Sequence, residues 1–160
     1  MCGGLFSFMR SDEYYMNLAL KEAKKAFLID EVPVGAVIVL NDKVIAKAHN
    51  TREKTNDPTS HAEINAIRKA CKKIGSWRLV DCTIYVTIEP CSMCAGAILW
   101  TRMERIVYGA DDLKGGAIKS SYNLFKQKGI NHIPSIIGGV LADECAIIIK
   151  DYFKIKRSSK

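Results

Sequence analysis

Apolar, β-branched runs alternate with single helix-patterned segments along the chain, and this alternation restricts the fold more than any other feature. Residues 34–40 and 43–49 flank the polar pair Asn41-Asp42, the pattern of a β-hairpin closed by a tight turn. Residues 83–88, 105–110 and 135–140 read as three further strands. Between them, apolar residues recur at helical spacing. Met16, Leu20, Ala23 and Phe27 do so within 11–28, behind Asp12 and Glu13 in the first turn. Ala62, Ala66, Ile67, Ala70 and Cys71 do so within 60–73, ahead of Gly75 at the C-terminal end. Pro90 suits the first turn of a helix reaching about Trp100, and 142–156 closes the chain as an amphipathic helix. Strands separated by single helices predict an α/β fold, a mixed five-stranded sheet with parallel members covered by helices. No linker, repeat or low-complexity tract interrupts the 160 residues, which is the size of one domain. That domain is expected to span 1–160, with 1–10 a loose N-terminal extension and 157–160 a flexible basic tail.

Two short stretches carry the chemistry, each at the start of a predicted helix: His61-Ala62-Glu63 and Pro90-Cys91-Ser92-Met93-Cys94. Residues three apart share a helix face, so Cys91 and Cys94 can present both sulfurs to one ion. The positive end of the helix favours thiolate, the form that binds metal. Two thiolates and one imidazole make a three-ligand zinc set with a fourth position open to water, the catalytic arrangement, in which bound water reaches a pKa of about 7. Each piece alone has plainer readings. A single C-x-x-C is also a redox pair, half of a structural zinc site, or two buried thiols. His61 is also an ordinary helix-starting histidine, and Ser60-x-x-Glu63 is also a capping box. A four-cysteine structural site needs a second C-x-x-C, and the chain has none. Taken together, His-x-Glu followed by Pro-Cys-x-x-Cys is the pattern of zinc deaminases of nucleobases, with glutamate as general acid/base rather than ligand.

The remaining cysteines fit that assignment. Of six in the chain, Cys71, Cys82 and Cys145 lie in apolar or periodic segments and read as small buried hydrophobes. Residues 1–9 lack the basic start and the length of a secretory signal, Met9 is an alternative start, and lipidation at Cys2 is disfavoured. No apolar run approaches the roughly 20 residues of a spanning helix, so a cytoplasmic protein without membrane contact is expected. The formal net charge of +7 favours a polyanionic partner such as nucleic acid.

At these residues the chain resembles the cytidine deaminase superfamily and, within it, the bacterial tRNA-specific adenosine deaminases. The likeness runs from Asp12 to Arg157. It includes Val32-Pro33-Val34-Gly35-Ala36, Asp57-Pro58-Thr59-Ser60-His61-Ala62-Glu63-Ile64, Tyr85-Val86-Thr87-Ile88-Glu89-Pro90-Cys91 and Gly138-Gly139-Val140-Leu141. The resemblance implies a three-layer α/β/α cytidine-deaminase-like fold and one zinc per chain on His61, Cys91 and Cys94, with Glu63 catalytic. It implies a homodimer, with the apolar face ending at Ile98, Leu99 and Trp100 as interface, and hydrolytic conversion of adenosine to inosine at the wobble position of a tRNA anticodon. It also implies substrate contacts from Asn50, from Asp112 with Lys114 nearby, and from the basic end carrying Phe153, Lys156 and Arg157. Ile149 and Phe153 are equally spaced to share a buried face. Trp100 and Ile118-Lys119-Ser120-Ser121-Tyr122 depart from the family pattern, in places where relatives acting on free bases diverge.

Three other functions compete. A deaminase of free guanine or cytosine needs neither the charge nor the basic C-terminus. A zinc-stabilised RNA-binding module has no use for a non-ligand carboxylate at Glu63. A thiol oxidoreductase leaves both His61 and Glu63 without a role.

Overall fold

The computed structural model describes residues 9–159; Cys2, the 1–8 part of the expected extension and Lys160 lie outside them. The predicted hairpin makes up one edge of the sheet. Strands β1 (Gly35–Leu40) and β2 (Lys43–His49) pair antiparallel, and Asn41 and Asp42 both adopt left-handed backbone (φ 49° and 63°). Consecutive positive φ values are what a two-residue hairpin turn of this hand requires, and Asn and Asp tolerate them best after glycine. Strand β3 (Thr83–Ile88) runs antiparallel to β1, and β4 (Arg105–Ala110) and β5 (Ser135–Ile137) follow parallel, giving the order β2-β1-β3-β4-β5.

Both faces of the central strands are buried, which explains their nearly continuous apolar sequences. Ala36, Ile38, Ile84, Val86 and Ile106 face one core with helices α3 (Ala62–Ile74) and α4 (Ser92–Thr101). Val37, Val39, Tyr85 and Val107 face the other, against α1 (Asp12–Leu28) and α5 (Ala142–Ser158). The result is the expected three-layer α/β/α arrangement with a mixed sheet of five strands. Cys82 and Cys145 are fully buried and Cys71 half-buried, each a free thiol packed among apolar side chains.

Four expectations are corrected at the edges. A short helix α2 (Arg52–Thr55) interrupts what reads as a connection after β2. Helix α4 begins two residues beyond Pro90, because Cys91 is its extended N-cap and the Pro90 carbonyl is taken by Ala117 N–H at 2.8 Å. Strand β5 stops at Ile137, where Gly138 packs on the Tyr108 ring and Gly139 turns left-handed. Helix α5 continues to Ser158, so Arg157 lies on the helix. In α5 the buried aromatic is Tyr152, stacked edge-on to Phe27, and Phe153 is exposed, which removes the buried-face reading of Phe153. No helix of the described residues is long and apolar enough to cross a membrane.

Candidate metal centre and active site

The fold brings two helix starts together at the carboxyl end of β3. His61 is the N-cap residue of α3 and Cys91 that of α4, both with extended backbone and neither making a side-chain cap bond. Their side chains are engaged with each other instead. His61 Nδ1 lies 3.7 Å from Cys91 Sγ and 3.6 Å from Cys94 Sγ, and the three ligand atoms fall within 4.8 Å of one another. This is the only such group of potential metal ligands among the described residues.

Glu63, in the first turn of α3, lines the same cavity as His61 and Cys91. The N-cap of α3 is His61 rather than Ser60, whose own N–H goes to the Asp57 carbonyl, so the capping-box reading of Glu63 is corrected. Its carboxyl is 3% exposed; burial pushes its pKa up to about 7, and the Cys91 charge adds to the rise. The two thiols share one charge. Cys91 is drawn down to about 4 by the hydrogen bond from Cys94 and by His61, against its burial. Cys94 is pushed up by that same bond and by burial, and the Cys91 thiolate holds His61 above its ordinary range. A low-lying thiolate beside an imidazole is a metal-ligand environment.

A cavity of about 160 Å³ opens in front of these groups. Val32, Val34 and Ile88 give it apolar wall, and Asn50, Arg52, Glu63, Glu89, Cys91 and Asp112 give it polar groups. Asn50 is 6% exposed; its Nδ2 donates to the Val32 carbonyl at 3.4 Å, and its Oδ1 is the one buried side-chain acceptor among the described residues with no partner. An orphaned acceptor in a cavity wall is a place for a ligand's N–H or O–H. Asp112 Oδ1 accepts the N–H groups of Lys114 and Gly115, at 3.2 and 3.1 Å. A larger cleft of about 610 Å³, lined by Tyr108, Lys119 and Gly138, has its Lys119 already paired with Asp111 and none of the ligand trio.

Six of the residues singled out in the sequence thus meet at one place: Asn50, His61, Glu63, Cys91, Cys94 and Asp112. Lys114, Phe153, Lys156 and Arg157 are exposed and line no part of the cavity. Lys156 is bound to Asp30 at 2.9 Å, and Tyr152 donates to the Asp30 carbonyl, which pins the end of α5 beside the α1–β1 connection. Sequence reasoning missed Arg52, Glu31 and Glu89. Glu31 is fully buried and accepts the N–H groups of Glu53 and Lys54, at 2.9 and 2.7 Å, so it caps α2 from a distant segment. The available signal was an acid placed inside an apolar stretch: Glu31 before Val32-Pro33-Val34, and Glu89 between Ile88 and Pro90.

The MafB19-like deaminase family model matches residues 10–157. A tRNA-specific adenosine deaminase of Bacillus subtilis is 47% identical over 95% of this chain and 94% of its own, and one of Agrobacterium fabrum 46% identical over 93% and 98%. A solved structure from work on A-to-I editing by tRNA:A34 deaminases at the wobble position superposes with a TM-score of 0.83. It is 47% identical and covers 84% of this chain and 98% of that one. The guanine deaminase of Bacillus subtilis superposes with a TM-score of 0.61 at 32% identity, covering 74% of this chain and 87% of that one.

Proposed function

The chain belongs to the MafB19-like deaminases and, among them, to the group of the tRNA-specific adenosine deaminases, and from that premise we propose that it is a zinc-dependent hydrolase converting adenosine to inosine at the wobble position of a tRNA anticodon. The observation that carries this reading is the meeting of a buried, proton-holding carboxyl with a His-Cys-Cys trio at the wall of a cavity of about 160 Å³. Pockets that take drug-sized ligands run to roughly 300–1,000 Å³, so this smaller space suits a single base turned out of its strand rather than a whole nucleotide.

The donor set fits zinc. A tetrahedron built on Zn–N of about 2.05 Å and Zn–S of about 2.3 Å has N···S edges of about 3.6 Å, and the His61 edges measure 3.7 and 3.6 Å. His61, Cys91 and Cys94 would hold the ion, and when bound it supplies the Lewis acidity that makes water a nucleophile near neutral pH. The chain's own residues do the rest. Asn50, through its unpartnered Oδ1, orients the base, and the apolar wall of Val32, Val34 and Ile88 excludes water around it. Glu63 takes one proton from the attacking water and delivers it to N1 of the purine as oxygen bonds to C6, then takes the remaining hydroxyl proton of the C6 adduct and passes it to the amino group as the C6–N bond breaks. Adenine and water become hypoxanthine and ammonia, and the carboxyl ends as it began. A pKa near 7 suits a group that must both accept and donate at neutral pH.

The tRNA contacts belong to the exposed cations Lys114, Lys156 and Arg157 together with Phe153 and Asp112, and a tRNA substrate assigns the enzyme to the cytoplasm. Trp100, 69% exposed at the end of α4 beside half-buried Leu99, supports a homodimer through that face. The test is a parallel assay of zinc-loaded protein on an anticodon stem-loop with a wobble adenosine, and on free adenosine, guanine and cytosine. Inosine in the stem-loop, with free adenosine turned over poorly, is expected. Efficient release of ammonia from guanine with an untouched stem-loop would replace this reading with that of the guanine deaminase neighbour.

A further inference from the structure

Glu89 has no role in the chemistry described above, yet it is a carboxylate 1% exposed at the wall of the reaction cavity. Such a group is retained only if donors surround it, since burying an unpartnered charge is prohibitive. Its donors come from one segment, the connection that follows β4. Oε2 accepts the backbone N–H groups of Ile118, Lys119 and Ser120, at 3.1, 2.8 and 3.0 Å. Oε1 accepts the Ser120 hydroxyl at 2.5 Å and the N–H of Asp112 at 3.1 Å. Both ends of the nine-residue loop 112–120 are therefore gathered onto one carboxylate.

The loop is fitted to that acid. A methyl on Gly116 would overlap the Glu89 carboxylate, so glycine is what lets the loop close over it. Gly116 also bridges to Cys91, and Ala117 N–H donates to the Pro90 carbonyl at 2.8 Å. The segment carrying Asp112 is thus tied to the same three residues, 89–91, that deliver a metal ligand. The oxygen that accepts Asp112 N–H is not the one that accepts the three consecutive amides, so the two halves of the clamp are chemically separable.

We propose that Glu89 is a positioning residue for the deamination: it fixes the loop of residues 112–120 and so sets Asp112 at the mouth of the cavity for the incoming nucleotide. This rests on the reading of Asp112 as a substrate contact and of a tRNA stem-loop as substrate. Glu89→Gln separates the halves of the clamp. The amide oxygen can keep the 118–120 amides, leaving an NH₂ group opposite the Asp112 N–H, donor against donor.

Leaving one buried donor unmatched corresponds to about a tenfold to hundredfold loss in an equilibrium it supports. The Glu89→Gln protein, with zinc content of wild type, is expected to show a KM for the stem-loop raised by about that factor and kcat within about threefold. Asp112→Ala is expected to raise KM comparably, and the double variant no further, since the two act as one unit. Additive KM effects, or a fall in kcat with KM unchanged, would overturn the proposal. Amide exchange supplies a readout independent of activity: the amides of residues 112–120 exchange faster in Glu89→Gln while those of β3 and α3 keep wild-type protection, and unchanged loop exchange refutes the clamp. If wild type leaves the stem-loop unedited, the substrate reading fails and this exchange experiment still decides the clamp. Should Glu89→Gln not fold, Gly116→Ala displaces the loop while sparing the acid; a raised KM and faster loop exchange support the proposal, and wild-type values for both overturn it.

Discussion

Replacing Glu63 by glutamine gives opposite results for stability and for turnover, and the structure sets the size of both. The carboxyl is buried with a pKa raised from an ordinary 4.5 to about 7, burial being the main cause. An acid whose folded pKa lies above its unfolded value binds more protons folded than unfolded between those two values. Stability therefore falls as pH rises from about 4.5 to about 7 and levels off above. At 1.36 kcal/mol per unit, the full displacement costs the metal-free protein about 3 kcal/mol at pH 8 and nothing below pH 4.5. Glutamine has the same shape and does not ionise. Metal-free Glu63→Gln is thus expected to be more stable than metal-free wild type by up to about 3 kcal/mol at pH 8, the difference closing toward pH 4.5. Urea titrations of both proteins at pH 5 and pH 8 measure it.

The turnover arm runs the other way. A positioned general acid/base contributes roughly 10²–10⁴-fold, and Glu63 is used for more than one transfer, so kcat for the zinc-loaded variant should fall by at least that range. A capping role predicts the reverse pattern, with stability lost and activity largely kept. Near-normal turnover with zinc bound would refute the proton-carrier assignment. Equal stabilities at pH 8 would refute the claim that the fold holds this carboxyl at a cost.

The ligand assignment predicts that Cys91→Ala and Cys94→Ala each lose metal and activity while wild type carries about one zinc per chain, measured by elemental analysis; full occupancy in either variant would mean the wrong ligands. Among the basic groups of α5, Arg157 is exposed and has no ion-pair partner among the described residues, whereas Lys156 is held by Asp30. Arg157→Ala should therefore weaken stem-loop binding across sequences and reduce the slope of log K against log salt by about one, and an unchanged slope would take Arg157 off the RNA surface.

What the sequence made legible was whatever depends on period or on a residue's intrinsic chemistry. Strands β1, β3 and β4 alternate between two apolar cores, and runs such as Ala36-Val37-Ile38-Val39 announce that directly. The hairpin turn was readable because Asn41-Asp42 accept positive φ, and the end of α3 because Gly75 does (φ 77°). The His-Cys-Cys trio was readable because few other uses suit those residues at two helix starts. Boundaries were less so. Whether Ser60 or His61 caps α3 depends on where the imidazole must point, and that is fixed thirty residues away by Cys91 and Cys94. For Glu31 and Glu89 the sequence offers an acid in apolar surroundings but not its partner: their donors belong to Glu53, Lys54 and residues 112–120, and no local pattern pairs such an acid with distant backbone amides.

The groups proposed to carry the chemistry and those at the mouth of the cavity rest on different supports, and Glu31 allows the difference to be measured. His61, Glu63, Cys91 and Cys94 ride on α3 and α4, which are packed on the sheet. Arg52 rides on α2, a single turn with no buried residue of its own and no side-chain cap at Thr51. A helix of that length has no intrinsic stability, so the two bonds from the Glu53 and Lys54 amides to the Glu31 carboxylate are what define it. In Glu31→Gln one of those amides faces an NH₂ group, and a part-buried donor left unmatched costs about 1 kcal/mol, enough to melt a turn with no stability of its own. Arg52 would then leave the cavity wall while the ligand trio and Glu63 stay in place. The expected result is zinc content and kcat near wild type, a raised KM for the stem-loop, and faster amide exchange confined to residues 51–56. A fall in kcat or a loss of zinc would show that α2 supports the chemistry itself, and that binding and catalysis are not separable along this line of the structure.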